Sequence, residues 1–200
     1  MGEILVLYYS RHGSTAALAR KIANGVEEVP DMQARIRTVP AVALAQRETI
    51  AEGIPEDGPP YVRVEDLVEC RGLIYGSPTR FGNMAAAMKA FWDGTAAQWL
   101  SGALAGKPGA VFTASTSMHG GQESTLLSMQ LPLLHHGMLI VGLPYSEAAL
   151  TQTETGGSPY GATHWSGPRH VVTPSEHEKQ LARALGRRVA EIARALDRGR

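Results

Sequence analysis

The spacing of apolar residues changes several times along the chain, and each change marks an element. Ile4-Leu5-Val6-Leu7-Tyr8-Tyr9 is an unbroken apolar run and predicts a strand buried on both faces over residues 3–9. From residue 14 the spacing lengthens. Leu18, Ile22 and Val26 lie four apart and predict a helix over 14–28. Residues 33–39 alternate, and Arg35 and Arg37 on one side predict an edge strand with one wet face. Between residues 40 and 60 the pattern dissolves into Ala, Glu, Gly and Pro, which predicts an irregular insertion, followed by one helical turn over 65–69.

Gly72-Leu73-Ile74-Tyr75-Gly76 predicts a third, buried strand, with a helix over 84–94. A strand over 110–114, a helix over 124–136 and a last strand over 138–143 follow. Residues 144–174 are rich in Gly, Thr and Ser and carry no period, so a long loop is expected there. Ser175 and Glu178 form a capping box, and Leu181, Leu185, Val189, Ile192 and Leu196 make the apolar stripe of a final helix. Strands thus alternate with helices five times. This predicts an α/β fold: a flavodoxin-like, doubly wound, five-stranded parallel sheet in the order 2-1-3-4-5, as one domain over residues 1–200. In such sheets ligands bind at the C-terminal ends of the strands, where the loops after strands one, three and four lie.

Those three loops carry the candidate chemistry. Ser10, Arg11, His12, Gly13, Ser14 and Thr15 join the first strand to a helix N-terminus, where free N–H groups, the helix dipole and hydroxyls suit a phosphate. Neither G-x-x-x-x-G-K-[ST] nor G-x-G-x-x-G is present, so the turn points to a mononucleotide phosphate, with FMN the leading candidate. After strand three, Pro78 fixes the backbone, Gly76 allows close approach, and Thr79, Arg80, Phe81 and Asn83 offer donors and an aromatic face to a flavin ring. After strand four, Ser115, Thr116, Ser117, Met118, His119, Gly120 and Gly121 supply hydroxyls and a flexible backbone that can converge on the same ligand. Phe91 and Trp92 are expected in the core and Trp99 beyond it. His135 and His136 are successive and face different ways, so one can line a pocket while the other packs; His164 and His170 either reach a neighbouring subunit or are solvated.

Composition narrows the class. The chain has 19 basic and 19 acidic residues, which argues against a nucleic-acid binder and, less strongly, against an electron shuttle with a charged docking face. Cys70 is the single cysteine, so it has no intramolecular disulfide partner; a small buried hydrophobe in a reducing compartment is the expectation. With no basic leader and no apolar run long enough to span a bilayer, a cytoplasmic protein without membrane insertion is expected. H-E-x-x-H, a cysteine pair and G-x-S-x-G are all missing, so neither a metal site nor a hydrolase elbow is expected.

Leu5-Val6-Leu7-Tyr8-Tyr9-Ser10, Gly76-Ser77-Pro78-Thr79-Arg80-Phe81-Gly82-Asn83-Met84, His119-Gly120-Gly121-Gln122-Glu123, His135-His136-Gly137-Met138 and Gly157-Ser158-Pro159-Tyr160-Gly161-Ala162 occur in order over nearly the whole chain. In these segments the sequence resembles the WrbA-type NAD(P)H:quinone oxidoreductases. The resemblance implies a flavodoxin-like fold, one FMN per subunit, a homotetramer, and two-electron reduction of quinones by NADH or NADPH; a ping-pong order at one open flavin face is the expected mechanism. By position it implies that residues 10–15 bind the FMN phosphate and that Pro78, Thr79, Arg80 and Phe81 hold the ring edge. Residues 115–120 would complete the ring and ribityl contacts. His135 would lie near the flavin of a neighbouring subunit as candidate proton donor, with water as the alternative, and Trp99 would wall the quinone position. His12 stands where the family often has a tyrosine linked to the nicotinamide nucleotide, which makes it a candidate for both cofactor and substrate binding. A one-electron carrier and an FMN-binding regulatory protein are the alternatives.

Overall fold

The first strand, β1 (Gly2–Tyr8), lies inside the sheet with a neighbour on each side, and its alternation is what divides the core. Ile4, Val6 and Tyr8 enter one apolar cluster and Leu5 and Leu7 the other, so both faces need helices. The computed structural model describes residues 1–42 and 58–198, so most of the insertion expected at 40–60 lies outside the described residues.

The remaining strands are β2 (Met32–Thr38), β3 (Gly72–Pro78), β4 (Pro108–Ser115), β5 (Leu139–Ile140) and β6 (Ala162–Trp165). They form a parallel sheet in the order β2-β1-β3-β4-β5, the flavodoxin-like order expected. Helices α1 (Ser14–Glu27) and α7 (Glu176–Arg198) cover one face. On the other lie α2 (Val64–Glu69), α3 (Ala86–Asp93) and α5 (Gln122–His135). Two short helices, α4 (Ala96–Leu100) and α6 (Ala149–Gln152), complete the described elements. Among the described residues no helix is long and apolar enough to cross a membrane.

The last strand departs from expectation. A run over 138–143 was expected, but only Leu139 and Ile140 pair with β4, opposite Pro108 and Gly109. The Leu143 N–H turns to the Pro159 carbonyl (2.9 Å), and Pro144 has no N–H to offer a ladder. The vacated edge is taken by β6, which pairs with residues 112–115 of β4. The segment 144–174, expected to be patternless, therefore contains a helix and an edge strand.

The edge strand β2 keeps its arginines, but they are not simply wet. Arg35 bonds to Asp66 (3.0 Å) and Glu69 (2.8 Å), and Arg37 Nε bonds to Asp66 (3.1 Å). Cys70 is buried as expected, and desolvation pushes its thiol up to about 11, which makes it inert at neutral pH. The capping box forms: the Ser175 N–H donates to Glu178 Oε2 (2.7 Å) and the Glu178 N–H to Ser175 Oγ (3.3 Å).

Candidate functional site

Three strand ends and the segment after β6 converge on one cleft. At the end of β1 the Gly13 N–H donates to Ser10 Oγ (3.1 Å), closing a tight turn. Gly13 is the N-cap of α1 at φ 89°, a left-handed backbone that suits glycine. It has no side chain, and α1 has no acidic residue in its first turn. The first-turn N–H groups and the positive helix end are thus left for an external anion. Thr15, in the first turn of α1, is buried and lines the cleft.

The end of β3 is held from several sides. Ser77 Oγ accepts the Ala85 N–H (2.8 Å), and Thr113 Oγ1 donates to the Ser77 carbonyl (2.7 Å). A Cβ on Gly76 would lie 2.3 Å from the Phe112 ring, so only glycine fits there. Arg80 and Asn83 then exchange backbone hydrogen bonds of 2.8 and 3.0 Å across a tight turn. Phe81 rides its tip at φ 51° and is fully exposed. The Thr79 hydroxyl is engaged by Thr125 Oγ1 (2.6 Å) and the Gly121 carbonyl (3.2 Å), which pins this loop to the N-terminus of α5.

After β4, Ser115 Oγ donates to the Ser117 carbonyl (2.7 Å) and accepts from Gln122 Nε2 (2.7 Å). Opposite, the Ser166 N–H donates to the Ser115 carbonyl (2.9 Å), and Trp165 Nε1 donates to the Thr116 carbonyl (2.8 Å).

The resulting cavity of about 150 Å³ is lined by Ser10, Arg11, His12, Ser14, Thr15, Pro78, Thr79, Arg80, Ser115, Thr116, Ser117 and Gly120, together with Ala114, Ser166 and His170. Two arginines and two histidines but no carboxylate face it, so it suits an anionic ligand. Gly13 shapes the turn without lining the cavity. Phe81, Met118 and His119 fall outside this lining. Ser166 was missed by sequence reasoning. It comes from a stretch with no periodicity, and only the pairing of β6 with β4 brings it in.

His135 and Trp99 are not in this cleft. They line a separate groove of about 890 Å³ between α3, α4 and α5, with Asn83, Lys89, Trp92, Leu131 and His136. His135 is exposed, whereas His136 is buried against Trp92. Thr95 Oγ1 donates to the Trp92 carbonyl (2.8 Å) and so accepts from His136 Nε2 (3.1 Å). Burial, then the charge of His135, lower the His136 pKa and keep it neutral. His164 is neither solvated nor directed outward, contrary to both expectations: it is 1% exposed and bonded to Glu178 at 2.8 Å. Among the described residues no group of three or more His, Cys, Asp or Glu side chains is placed to hold a metal ion.

Known proteins share this sequence and shape. The family model described as NADPH-dependent FMN reductase matches residues 3–151. A protein named NAD(P)H dehydrogenase (quinone) from Syntrophobacter fumaroxidans is 47% identical, covering 98% of this chain and 99% of its own. A protein of the same name from Solidesulfovibrio magneticus is 44% identical, covering 97% and 98%. Among solved structures, a WrbA-like flavodoxin from Agrobacterium tumefaciens superposes with a TM-score of 0.68 at 23% identity, over 98% of this chain and 99% of its own. Flavodoxin 1 from Bacillus cereus does so at 0.60 and 16%, over 95% and 98%. At these identities the two structures speak for the fold alone.

Proposed function

We propose that this chain, which belongs to the NADPH-dependent FMN reductase family, is an FMN-dependent NAD(P)H dehydrogenase that reduces quinones. The observation that carries the reading is the uncapped N-terminus of α1, with the Thr15 side chain in its first turn, opening into a cleft with no carboxylate. A phosphate monoester satisfies those donors. Ser10, Ser14 and Thr15 would hold the FMN phosphate, while Pro78, Thr79, Arg80 and the 115–120 loop would hold the ring and ribityl chain. Bound there, FMN supplies the hydride chemistry. Arg11 and His12, exposed at the same cleft, are placed to meet the phosphates of NADH or NADPH. Nucleotide and quinone would take turns at one open side of the cleft, in ping-pong order.

His135 and Trp99 line another groove, so they can serve a flavin only across a contact between copies. In the proposed homotetramer the groove of one subunit would meet the cleft of another. There Trp99 would wall the quinone and His135 would hand a proton to its oxygen. The lone, buried Cys70 suits the reducing cytoplasm.

The purified protein is expected to show a flavin spectrum and to consume NADH or NADPH only when benzoquinone is added. Bound flavin without quinone-dependent consumption would instead identify an electron carrier or regulatory protein. Trp99→Ala is expected to raise the quinone KM by up to about tenfold, the scale of one lost aromatic contact, with FMN retention unchanged. Loss of FMN with an unaltered KM would place Trp99 in the structural core. His135→Asn is expected to alter the pH profile of quinone turnover; an unchanged profile would assign the proton to water.

A further inference from the structure

We propose that His164 and Glu178 are positioning residues for the cofactor cleft, a buried imidazolium–carboxylate pair that holds residues 166–172 against the phosphate turn. The inference rests on the reading of that cleft as the FMN site.

Both side chains are 1% exposed. Glu178 gathers four donors from three segments. Its Oε1 accepts the Gly156 N–H (2.7 Å) and the Trp165 N–H (2.9 Å), and its Oε2 accepts the Ser175 N–H (2.7 Å) and His164 Nδ1 (2.8 Å). A capping box needs only one of these bonds. The others tie β6 and the 153–157 loop to the start of α7. His164 Nε2 bonds to the Val171 carbonyl (2.9 Å). Carboxylate and carbonyl are both acceptors, so the two ring nitrogens must both carry hydrogen, and the ring is an imidazolium.

The span closed by the His164–Val171 bond contains Ser166 and His170, two cleft residues that sequence reasoning did not place there. The Val171 N–H returns to the Ser166 carbonyl (2.8 Å). Next in the chain, Val172 Cγ1 lies 3.2 Å from where a Gly13 Cβ would be, so this strap reaches the N-cap of the phosphate helix.

Burial alone would lower the His164 pKa, but the hydrogen bond and charge of Glu178 and the Val171 carbonyl raise it above the ordinary histidine value. Burial likewise raises the Glu178 pKa, and His164 with the Trp165 and Ser175 N–H groups brings it below the ordinary carboxylate value. Among the described residues Glu178 is the charged group that acts on the His164 ring; Arg169 lines the adjacent cavity, and residues 112–115 of β4 bring no charge. Because the folded pKa of His164 is raised, its contribution is complete below the unfolded value and is lost as pH rises through the folded one. Deprotonation leaves one N–H for two buried acceptors, and the strap is released.

The test is FMN affinity from flavin fluorescence for the wild type and His164→Gln across pH, with the His164 ring titration followed by NMR in the wild type. The ratio of the two dissociation constants at each pH cancels the ionisation of the FMN phosphate, His12 and His170. The variant is expected to bind about tenfold more weakly at low pH, the scale of a lost buried charged hydrogen bond, and the ratio should fall toward one above the His164 titration. A ratio independent of pH overturns the proposal. If the variant does not fold, the FMN-free wild type decides alone: the protection of the Val171 amide from hydrogen exchange, corrected for the intrinsic rate, should fall through the pH range in which the His164 ring titrates, and unchanged protection there overturns the proposal. Absence of FMN binding by the wild type at every pH overturns the reading of the cleft itself.

Discussion

Replacing Ser10 and Thr15 together by alanine is expected to weaken FMN binding by about a hundredfold. Ser10 Oγ accepts the Gly13 N–H and so shapes the turn, and its own proton remains free for an oxyanion. Thr15 is buried in the first turn of α1 and lines the same cleft. Hydrogen bonds to a charged group contribute about 1.5–3 kcal/mol each, and two sharing one phosphate are not additive, which sets the estimate. The helix N-terminus itself survives the substitutions, so binding weakens without vanishing. With FMN added to saturation, quinone turnover should return to within about twofold of the wild type, because the proposed arrangement puts both side chains at the phosphate and away from the reacting ring. Equilibrium titration with FMN and turnover at saturating FMN check the two halves separately. Unchanged affinity would move the phosphate elsewhere. Turnover that stays low at saturation would mean that the turn positions the ring as well.

The tight turn between β1 and α1 was legible because its signal is local: a buried strand, a glycine and hydroxyls lie within a few residues of one helix start. The loops after β3 and β4 were legible in place but not in the direction of each side chain. The Thr79 hydroxyl turns to Thr125 and Gly121, and Phe81 points into solvent at a positive φ, outcomes set by contacts with α5 and by the tight turn at Arg80 and Asn83. The split of the last strand was not legible. Nothing in Ala162, Thr163, His164 and Trp165 marks a buried strand, because their burial comes from lying beside β4 under α7. The capping box was visible, yet the further bonds of Glu178 join residues far apart in sequence, which periodicity does not encode. His135 and Trp99 could be named from resemblance, but their separation from the cleft is a property of the folded subunit alone.

The second large effect concerns stability. Gly25→Val and Gly186→Ala are each expected to cost about 3 kcal/mol or more. Glycine inside a helix is itself unfavourable by about 1 kcal/mol, so each must answer a stronger demand. Where α1 crosses α7 the backbones nearly touch: a Cβ on Gly25 would lie 1.9 Å from the Arg183 carbonyl oxygen, and one on Gly186 would lie 2.0 Å from that of Ile22. Neither obstacle is a flexible side-chain end, so the helices would have to separate and unpack Ile22 and Val26 from Leu185 and Val189. For a chain of this size the loss corresponds to a fall in Tm of roughly 6–12 °C, measurable by thermal unfolding of the FMN-free protein. Gly106→Ala is the control: at φ 74° with nothing within 4 Å of its Cβ, it meets backbone strain without a clash and should cost about 1 kcal/mol. Equal losses at all three positions would show that left-handed strain and helix crossing weigh the same, contrary to the argument. The crossing also bears on function. The N-terminus of α1 is the proposed phosphate site, and the N-terminus of α7 carries Glu178, which bonds to the Trp165 and Ser175 N–H groups on either side of the proposed strap. A wider crossing shifts these two ends relative to each other, so Gly186→Ala should weaken FMN binding at temperatures where the protein is still fully folded.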